Sequence, residues 1–449
     1  MAIGPVQLIR QATPGQRRTL LAASLGWMLD SFDAMLYALV LTHVMRDLGM
    51  TKSTAGLLST LMLLASGIGG ILFGFLADWM GRKRALLLSI LTYSVCSFAS
   101  GLSTSILMLA IFRFILGLGM GGEWNTGATL VAETWPDDLR AKAIAIVQSS
   151  WAIGFALAAL VAGIVLRYAS WRMVFFVGIL PAIVTLWIQN KVPESEMWTD
   201  QNKDRNLGLR STQSWQRNST AEALPGDSAL QSQRIRRLKN SGAESEGSFF
   251  TIFRSPYLKS TAALLFVNFF GLFGWWGLFQ WIPAYLSLPI ARGGRGFGVM
   301  GTTSLLVVLN LFGMFPGYLS FGWAADILGR RRAFMVYLLV AAILIPLYAM
   351  ARSPAALLVL GTVVAFFATG WFSGCGVIGS EIYPTSLRAR ALGFTYTGAR
   401  AMSSVAPFVI GRVGDMRGLT SAFYLCAGAF LLASGIATQL PETKGRSLE

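Results

Sequence analysis

Long apolar runs alternate with short polar breaks along the whole chain. Each run is about 20 residues, the length an α-helix needs to cross roughly 30 Å of hydrocarbon. The runs fall at 19–45, 54–77, 85–103, 105–127, 141–167, 171–190, 259–286, 299–324, 333–351, 354–378, 389–412 and 419–440. They do not alternate residue by residue, as the strands of a membrane barrel do. The pattern predicts an all-α polytopic membrane protein with twelve transmembrane helices.

The break between the sixth and seventh runs is different in kind. It reads TDQNKDRNLGLRSTQSWQRNSTAEALPGDSALQSQRIRRLKNSGAESEG, is rich in Ser, Gln, Asn, Arg and Glu, and has too little apolar surface to bury a core. The expected organisation is an N-terminal six-helix bundle over 1–190, a mobile cytoplasmic polar linker over 191–258, and a C-terminal six-helix bundle over 259–449 ending in a short cytoplasmic tail.

The two halves repeat. GFLADWMGRKRA (74–85) matches GWAADILGRRRA (322–333), and VAETWPDDLRAKA (131–143) matches GSEIYPTSLRARA (379–391), both at an offset of 248. The same offset sets Gly26 and Trp27 against Gly274 and Trp275, and Tyr37 against Tyr285. Two pseudo-symmetric bundles with a site near the midplane between them are the architecture of secondary transporters.

Composition agrees. The chain has 449 residues, 54% apolar and only 13% charged, where a soluble protein carries about 25% charged residues. The formal charge of +16 is not a nucleic-acid signal, because its Lys and Arg gather in short loops at 82–84, 140–142, 330–332 and 388–390. That bias marks those loops, both termini and the linker as cytoplasmic. The first run follows Arg10, Arg17 and Arg18 but is too long for a signal peptide and lacks a small-residue cleavage site, so it reads as an uncleaved first helix.

Several chemistries drop out. No GxxxxGK[ST] loop is present to bind ATP. Cys96, Cys375 and Cys426 lie inside apolar runs and make no disulfide framework, and His43 is the single histidine, so a histidine metal site is excluded. No nucleophile–base pair stands out. The expectation is a non-enzyme with no cofactor and no metal, driven by a proton gradient.

What breaks the repeat is more informative than what keeps it. Adding 248 takes Asp30 to Leu278, Asp33 to Trp281, Arg113 to Gly361 and Glu123 to Trp371; subtracting it takes Arg400 to Ala152. A charge at a helix centre costs roughly 2.5–3.5 kcal/mol on insertion scales, so unduplicated charges point to function rather than scaffold. Asp30 and Asp33 are three residues apart, share a helix face, and disfavour joint ionisation. With Glu123 they are the proton-coupling candidates.

Arg113 and Arg400 stay charged and must meet an anion. Arg113 has Asp30, Asp33 and Glu123 in its own half; it either pairs with them or binds substrate. Arg400 has no acid in its half away from the helix ends, so its partner comes across the cavity or is the substrate. Asn125, Asn268, Gln280, Tyr37, Trp275 and Tyr396 complete the substrate-binding candidates. Trp27, Trp124, Gln148 and Trp276 are further aromatic and amide side chains in the same spans. The duplicated charges Asp78, Arg82, Glu133 and Arg140, with Asp326, Arg330, Glu381 and Arg388, are expected to gate, pairing at helix ends in one conformation and releasing in another. Pro283, Pro316 and Pro407 are expected to kink helices.

These motifs resemble the major facilitator superfamily. GFLADWMGRKR and GWAADILGRRR look like its repeated loop signature, and IFRFILGLGMGG like its fourth-helix signature, whose arginine falls on Arg113. PETKGRSLE at the C-terminal end is similar to the signature of the sugar-porter-related branch. DSFD resembles the D-x-x-D pattern of aromatic-acid and sialate proton symporters, and GGEWNTGATLVAETWPDDLRAKA and VPESEMW resemble the sialate, lactate and aromatic-acid group. The resemblance implies proton-coupled import of a small organic anion across a bacterial-type inner membrane by a monomer. It implies coupling roles for Asp30, Asp33 and Glu123, and a binding or coupling role for Arg113. The competing expectations are proton-coupled sugar or polyol uptake and proton-driven drug efflux.

Overall fold

The computed structural model describes residues 12–192, 194, 199 and 249–444. Most of the predicted linker, the first eleven residues and the end of the tail lie outside the described residues. In the N-terminal half the helices are α1 (Pro14–Asp47), α2 (Lys52–Met80), α3 (Arg82–Gly101), α4 (Ile106–Thr134), α5 (Asp137–Tyr168) and α6 (Trp171–Lys191). The C-terminal half carries α7 (Leu258–Ser287), α8 (Val299–Leu328), α9 (Arg330–Met350), α10 (Pro354–Ile382), α11 (385–417) and α12 (Leu419–Ala437).

Local chemistry sets the ends. Thr13 caps α1 through a reciprocal pair with Gln16, ahead of Pro14, while Thr51, Ser105 and Ser353 cap α2, α4 and α10 by accepting a backbone N–H from the first turn. α2 passes to α3 through Gly81 alone, and α8 to α9 through Gly329 alone, at φ of 103° and 93°. Only glycine enters that region freely, so each hairpin reverses within one residue.

Among the described residues, eleven helices are long and apolar enough to span a membrane, and α11 is not one of them. The sequence predicts an unbroken span over 389–412. The helix instead runs as Thr385–Leu392, a π-type turn over Gly393–Gly398, a short piece Ala399–Ser403, and Ala406–Arg417. Pro407 lacks an N–H and stands just past the interruption at Ser404 and Val405. α8 opens into a similar π-type turn over Leu309–Met314, ahead of Pro316, and α7 breaks at Gln280 and Trp281, ahead of Pro283. Three of these irregular turns thus stand just ahead of a proline, and among the described residues those of π type fall in the C-terminal half.

Outward faces carry large apolar side chains, among them Ile71, Phe75, Leu107, Phe312 and Leu431, as a hydrocarbon solvent requires. The helices pack at backbone distance where residues are small. A Cβ on Gly121 would strike Ser66 O, and one on Gly69 would strike Leu118 O, so α2 and α4 lie backbone to backbone. The halves meet along α2 and α11, where Gly56 faces Pro407 O and Gly411 faces Lys52 O, and along α5 and α8, where Thr303 Oγ1 donates to Ala159 O at 3.4 Å. At one end of this seam Asp415 accepts hydrogen bonds from Lys52 N (3.1 Å), Ser53 N (2.8 Å) and Ser53 Oγ (2.5 Å), with Lys52 Nζ 3.8 Å away.

Candidate substrate and proton site

Tryptophans dominate the middle of the seam. Trp27 of α1 lies 4.8 Å from Trp151 of α5, ring centre to ring centre, and Trp151 meets Trp275 and Trp276 of α7 edge-on at 5.9 and 6.0 Å. With Gln148, Leu272, Tyr318 and Phe372 they wall a central cleft whose polar end is made by Tyr396 and Arg400 of α11. Trp275 is held by its Nε1 hydrogen bond to Thr369 Oγ1 at 3.1 Å and by Phe372 at 5.7 Å.

Arg400 is 7% exposed, and its Nε and Nη2 have no hydrogen-bond partner. It lies within electrostatic reach of Asp30 and Glu123, which belong to the other half. Both acids are buried, and Asp30 Oδ2 and Glu123 Oε2 are likewise unbonded. The acids that Arg400 feels thus come from across the cavity, though no ion pair forms between them. Glu123 reaches α1 because Gly26 leaves room: a Cβ there would strike Glu123 Oε1.

Asp33 links Asp30 to the interior of the N-terminal half. Its Oδ1 accepts from Ser97 Oγ of α3 at 2.9 Å, and it feels both Asp30 and Arg113. Arg113 is fully buried within the N-terminal half. Its Nη2 points at Met62 Sδ at 2.8 Å and its guanidinium sits 4.8 Å over the Tyr37 ring, while the Tyr37 hydroxyl donates to Ala55 O at 3.1 Å. Arg113 Nε and Nη1 have no hydrogen-bond partner. The two arginines are thus divided, Arg400 lining the cleft and Arg113 buried among Met62 and Tyr37 outside its lining.

Of the sequence candidates, Trp275, Tyr396 and Arg400 line the cleft, as do Trp27, Gln148 and Trp276. Tyr37, Asn268 and Gln280 are buried away from its lining. Asn268 Nδ2 donates to Thr395 O, tying α7 to the π-type turn of α11; both polar atoms of Gln280 are unbonded beside the break in α7. The side chains of Asn125 and Trp124 lie outside the described residues. Sequence reasoning missed Trp151, Tyr318 and Phe372, which look like ordinary apolar filling. It also missed Tyr93, whose buried, unbonded hydroxyl lies within electrostatic reach of Asp30, Asp33 and Glu123.

The duplicated charges make matching clusters. Arg82 Nη1 donates to Asp78 at 2.7 Å and Nη2 to Glu133 at 3.0 Å; Arg330 Nη1 donates to Asp326 at 2.6 Å and Nε to Glu381 at 3.4 Å. The acid of the second loop thus bonds to the arginine of the first. The repeat also extends past the sixth and twelfth helices: Glu194 accepts Lys83 N at 3.1 Å and Glu442 accepts Arg330 N at 2.8 Å, with 442 − 194 = 248. Thr443 Oγ1 adds a bond to Glu381 at 2.5 Å.

Comparison with known proteins comes to the same architecture. A Major Facilitator Superfamily model matches residues 23–301 and 294–446. The sialic acid transporter NanX of Escherichia coli is 30% identical over 430 residues, 94% of this chain and 93% of the relative. The niacin transporter NiaP of Acinetobacter baylyi is 27% identical over 427 residues, 95% of this chain and 94% of the relative. Among solved structures, a D-xylose–proton symporter superposes with a TM-score of 0.70 at 20% identity, covering 96% of this chain and 99% of that one.

Proposed function

This chain belongs to the Major Facilitator Superfamily and is a transporter rather than an enzyme, and we propose that it imports a small organic anion, a carboxylate such as an aromatic acid, a monocarboxylate or a sialic acid, in symport with protons. The observation carrying the reading is Arg400, a buried guanidinium at the polar end of an aromatic cleft and in electrostatic reach of Asp30 and Glu123. Relatives described as transporting sialic acid, niacin and cis,cis-muconate support an acid substrate.

Coupling follows from competition. While Asp30 and Glu123 are ionised they hold Arg400. Protonation releases the guanidinium to an incoming carboxylate, and the neutralised site lets the halves rock, since two charges no longer have to cross uncompensated. Asp33, with Ser97 and Arg113, is the second protonation site of the pair. Lys and Arg bias assigns the Arg82 and Arg330 loops to the cytoplasm of a bacterial-type inner membrane and the Asp415 end to the outside. In that orientation the Asp415 bonds close the outer mouth, and the Asp78/Arg82/Glu133 and Asp326/Arg330/Glu381 clusters act at the inner one. A monomer suffices, because both halves of the site are on one chain.

The test is flux into proteoliposomes under an imposed pH gradient, with acids and neutral sugars as alternative substrates. Acid accumulation driven by an inward proton gradient supports the reading. Accumulation of sugars alone would replace it with the sugar-uptake alternative, whose support is the C-terminal PETKGRSLE motif.

A further inference from the structure

A second gap opens on the other side of Arg400. It lies between α2, α4 and α11 and is lined by Ser66, Gly67, Gly70, Gly121 and Thr397, and it shares Tyr396 and Arg400 with the tryptophan cleft. The two spaces differ in kind. The cleft is walled by indoles. The gap is walled by glycines, the hydroxyl residues Ser66, Tyr396 and Thr397, and Arg400, and it is the smaller of the two spaces.

Arg400 stands at the junction. Its Nε and Nη2, the pair that forms the side-on fork toward a carboxylate, are the atoms without a hydrogen-bond partner. A guanidinium edge buried and unsatisfied in this way costs free energy until an anion fills it. The π-type turn of α11 over Gly393–Gly398 ends just before it and carries Tyr396 and Thr397, so the irregular turn and the junction belong to one stretch of helix. Ser66 Oγ donates to Leu63 O at 2.9 Å and serves as wall, which leaves the hydroxyls of Thr397 and Tyr396 as side-chain donors beside the fork.

We propose that this gap is a carboxylate subsite and that the substrate is bipartite, with a planar unsaturated body lying in the cleft against the indole walls and one carboxylate seated against the Arg400 fork and Thr397. The inference rests on the organic-anion reading and narrows it: among the carboxylates named above it favours planar acids, which lay their whole face on the indole walls, over polyhydroxylated ones such as a sialic acid.

The test is calorimetric binding to the purified full chain of benzoate and trans-cinnamate, each paired with its uncharged amide, and of gluconate as a non-planar acid. Thr397→Val removes the hydroxyl. Gly67→Ala adds a methyl whose nearest neighbour is Ala401 Cβ at 3.6 Å, so it narrows the gap without breaking the packing. The planar acids bind, their amides bind more weakly, and each variant lowers acid affinity by about tenfold with the amides little changed. Acid binding that needs Arg400, judged by Arg400→Gln, but ignores both gap variants overturns the subsite alone. Acid binding indifferent to Arg400→Gln, or no acid binding at all, overturns the organic-anion reading and the subsite with it. Preference for gluconate over the planar acids overturns the bipartite substrate.

Discussion

The carboxylate of Asp415, in the last turn of α11, accepts the backbone N–H of Ser53, in the first turn of α2 in the opposite half, at 2.8 Å. Lys52 N adds a second amide at 3.1 Å. The first-turn amides of a helix have no partner within it and carry its positive end, so a carboxylate from the other bundle satisfies them only while the halves are closed here.

Asp415→Ala should therefore loosen this end. The bonds are charge-assisted, but the Asp415 side chain is 26% exposed, so the loss is about 1–2 kcal/mol, roughly a tenfold shift in the closed–open ratio. Spin labels at positions 46 and 417 should show a longer, broader distance distribution in the variant. An unchanged distribution would mean that Asp415 does not hold the end shut.

Removing the charge of Asp30 or Asp33 uncouples transport from the proton gradient. Asp30→Asn and Asp33→Asn should each reduce gradient-driven accumulation to simple equilibration while leaving substrate exchange measurable in counterflow. Normal accumulation by both variants would assign coupling elsewhere.

Arg400→Gln should cost acid affinity selectively. Losing a charge-assisted fork amounts to about 1.5–3 kcal/mol, or 10- to 150-fold in Kd. Uncharged ligands of the cleft should bind as before, because the indole walls are intact. A variant that binds acids at wild-type affinity would leave Arg400 no role in recognition.

Gly26→Ala tests the space kept for Glu123. Its Cβ collides with Glu123 Oε1, so the carboxylate must leave its place beside α1. Gly74→Ala, which meets nothing within 4 Å, is the control. Gly26→Ala should lose most proton-driven uptake and Gly74→Ala should lose none; equal uptake by the two would show that Glu123 is free to move without consequence.

Glu442 links the tail to the start of α9. Burial alone would raise its pKa, but backbone N–H donors from Lys444, Arg330, Thr443 and Arg331 outweigh burial and hold it below its ordinary value of 4.5. A carboxylate lowered on folding stabilises the fold above its unfolded pKa, and that contribution is lost as pH falls through the lower folded value. The melting-temperature advantage of wild type over Glu442→Gln should be full near neutral pH and shrink below pH 4.5. An advantage that stays constant into acid would exclude ionisation as its source.

Much of this was readable along the chain. The spans were, because hydrocarbon acts on each residue by itself and a run of apolar side chains satisfies it without reference to neighbours. The duplication was, through a constant offset of 248, although its last members, Glu194 and Glu442, were recognised as a pair only once both were seen bonding to the helix that follows the short loop. The charges that break the repeat were also legible, since their insertion cost is a local property.

Their partners were not. Sequence chemistry offered Arg113 several acids and Arg400 none. The fold brings Arg113 to Tyr37, Met62 and Asp33, and brings Arg400 to Asp30 and Glu123 from the opposite half. The break in α11 was equally hidden, because a glycine-rich stretch before a proline reads as one apolar run until its hydrogen bonds are traced. By itself the sequence determined that the chain is built of membrane-crossing helices, which halves correspond and which charges are out of place. Only the tertiary structure decided which of those charges face one another, because electrostatic partnership depends on distance in space, and helices far apart in the chain are brought side by side by packing across the seam.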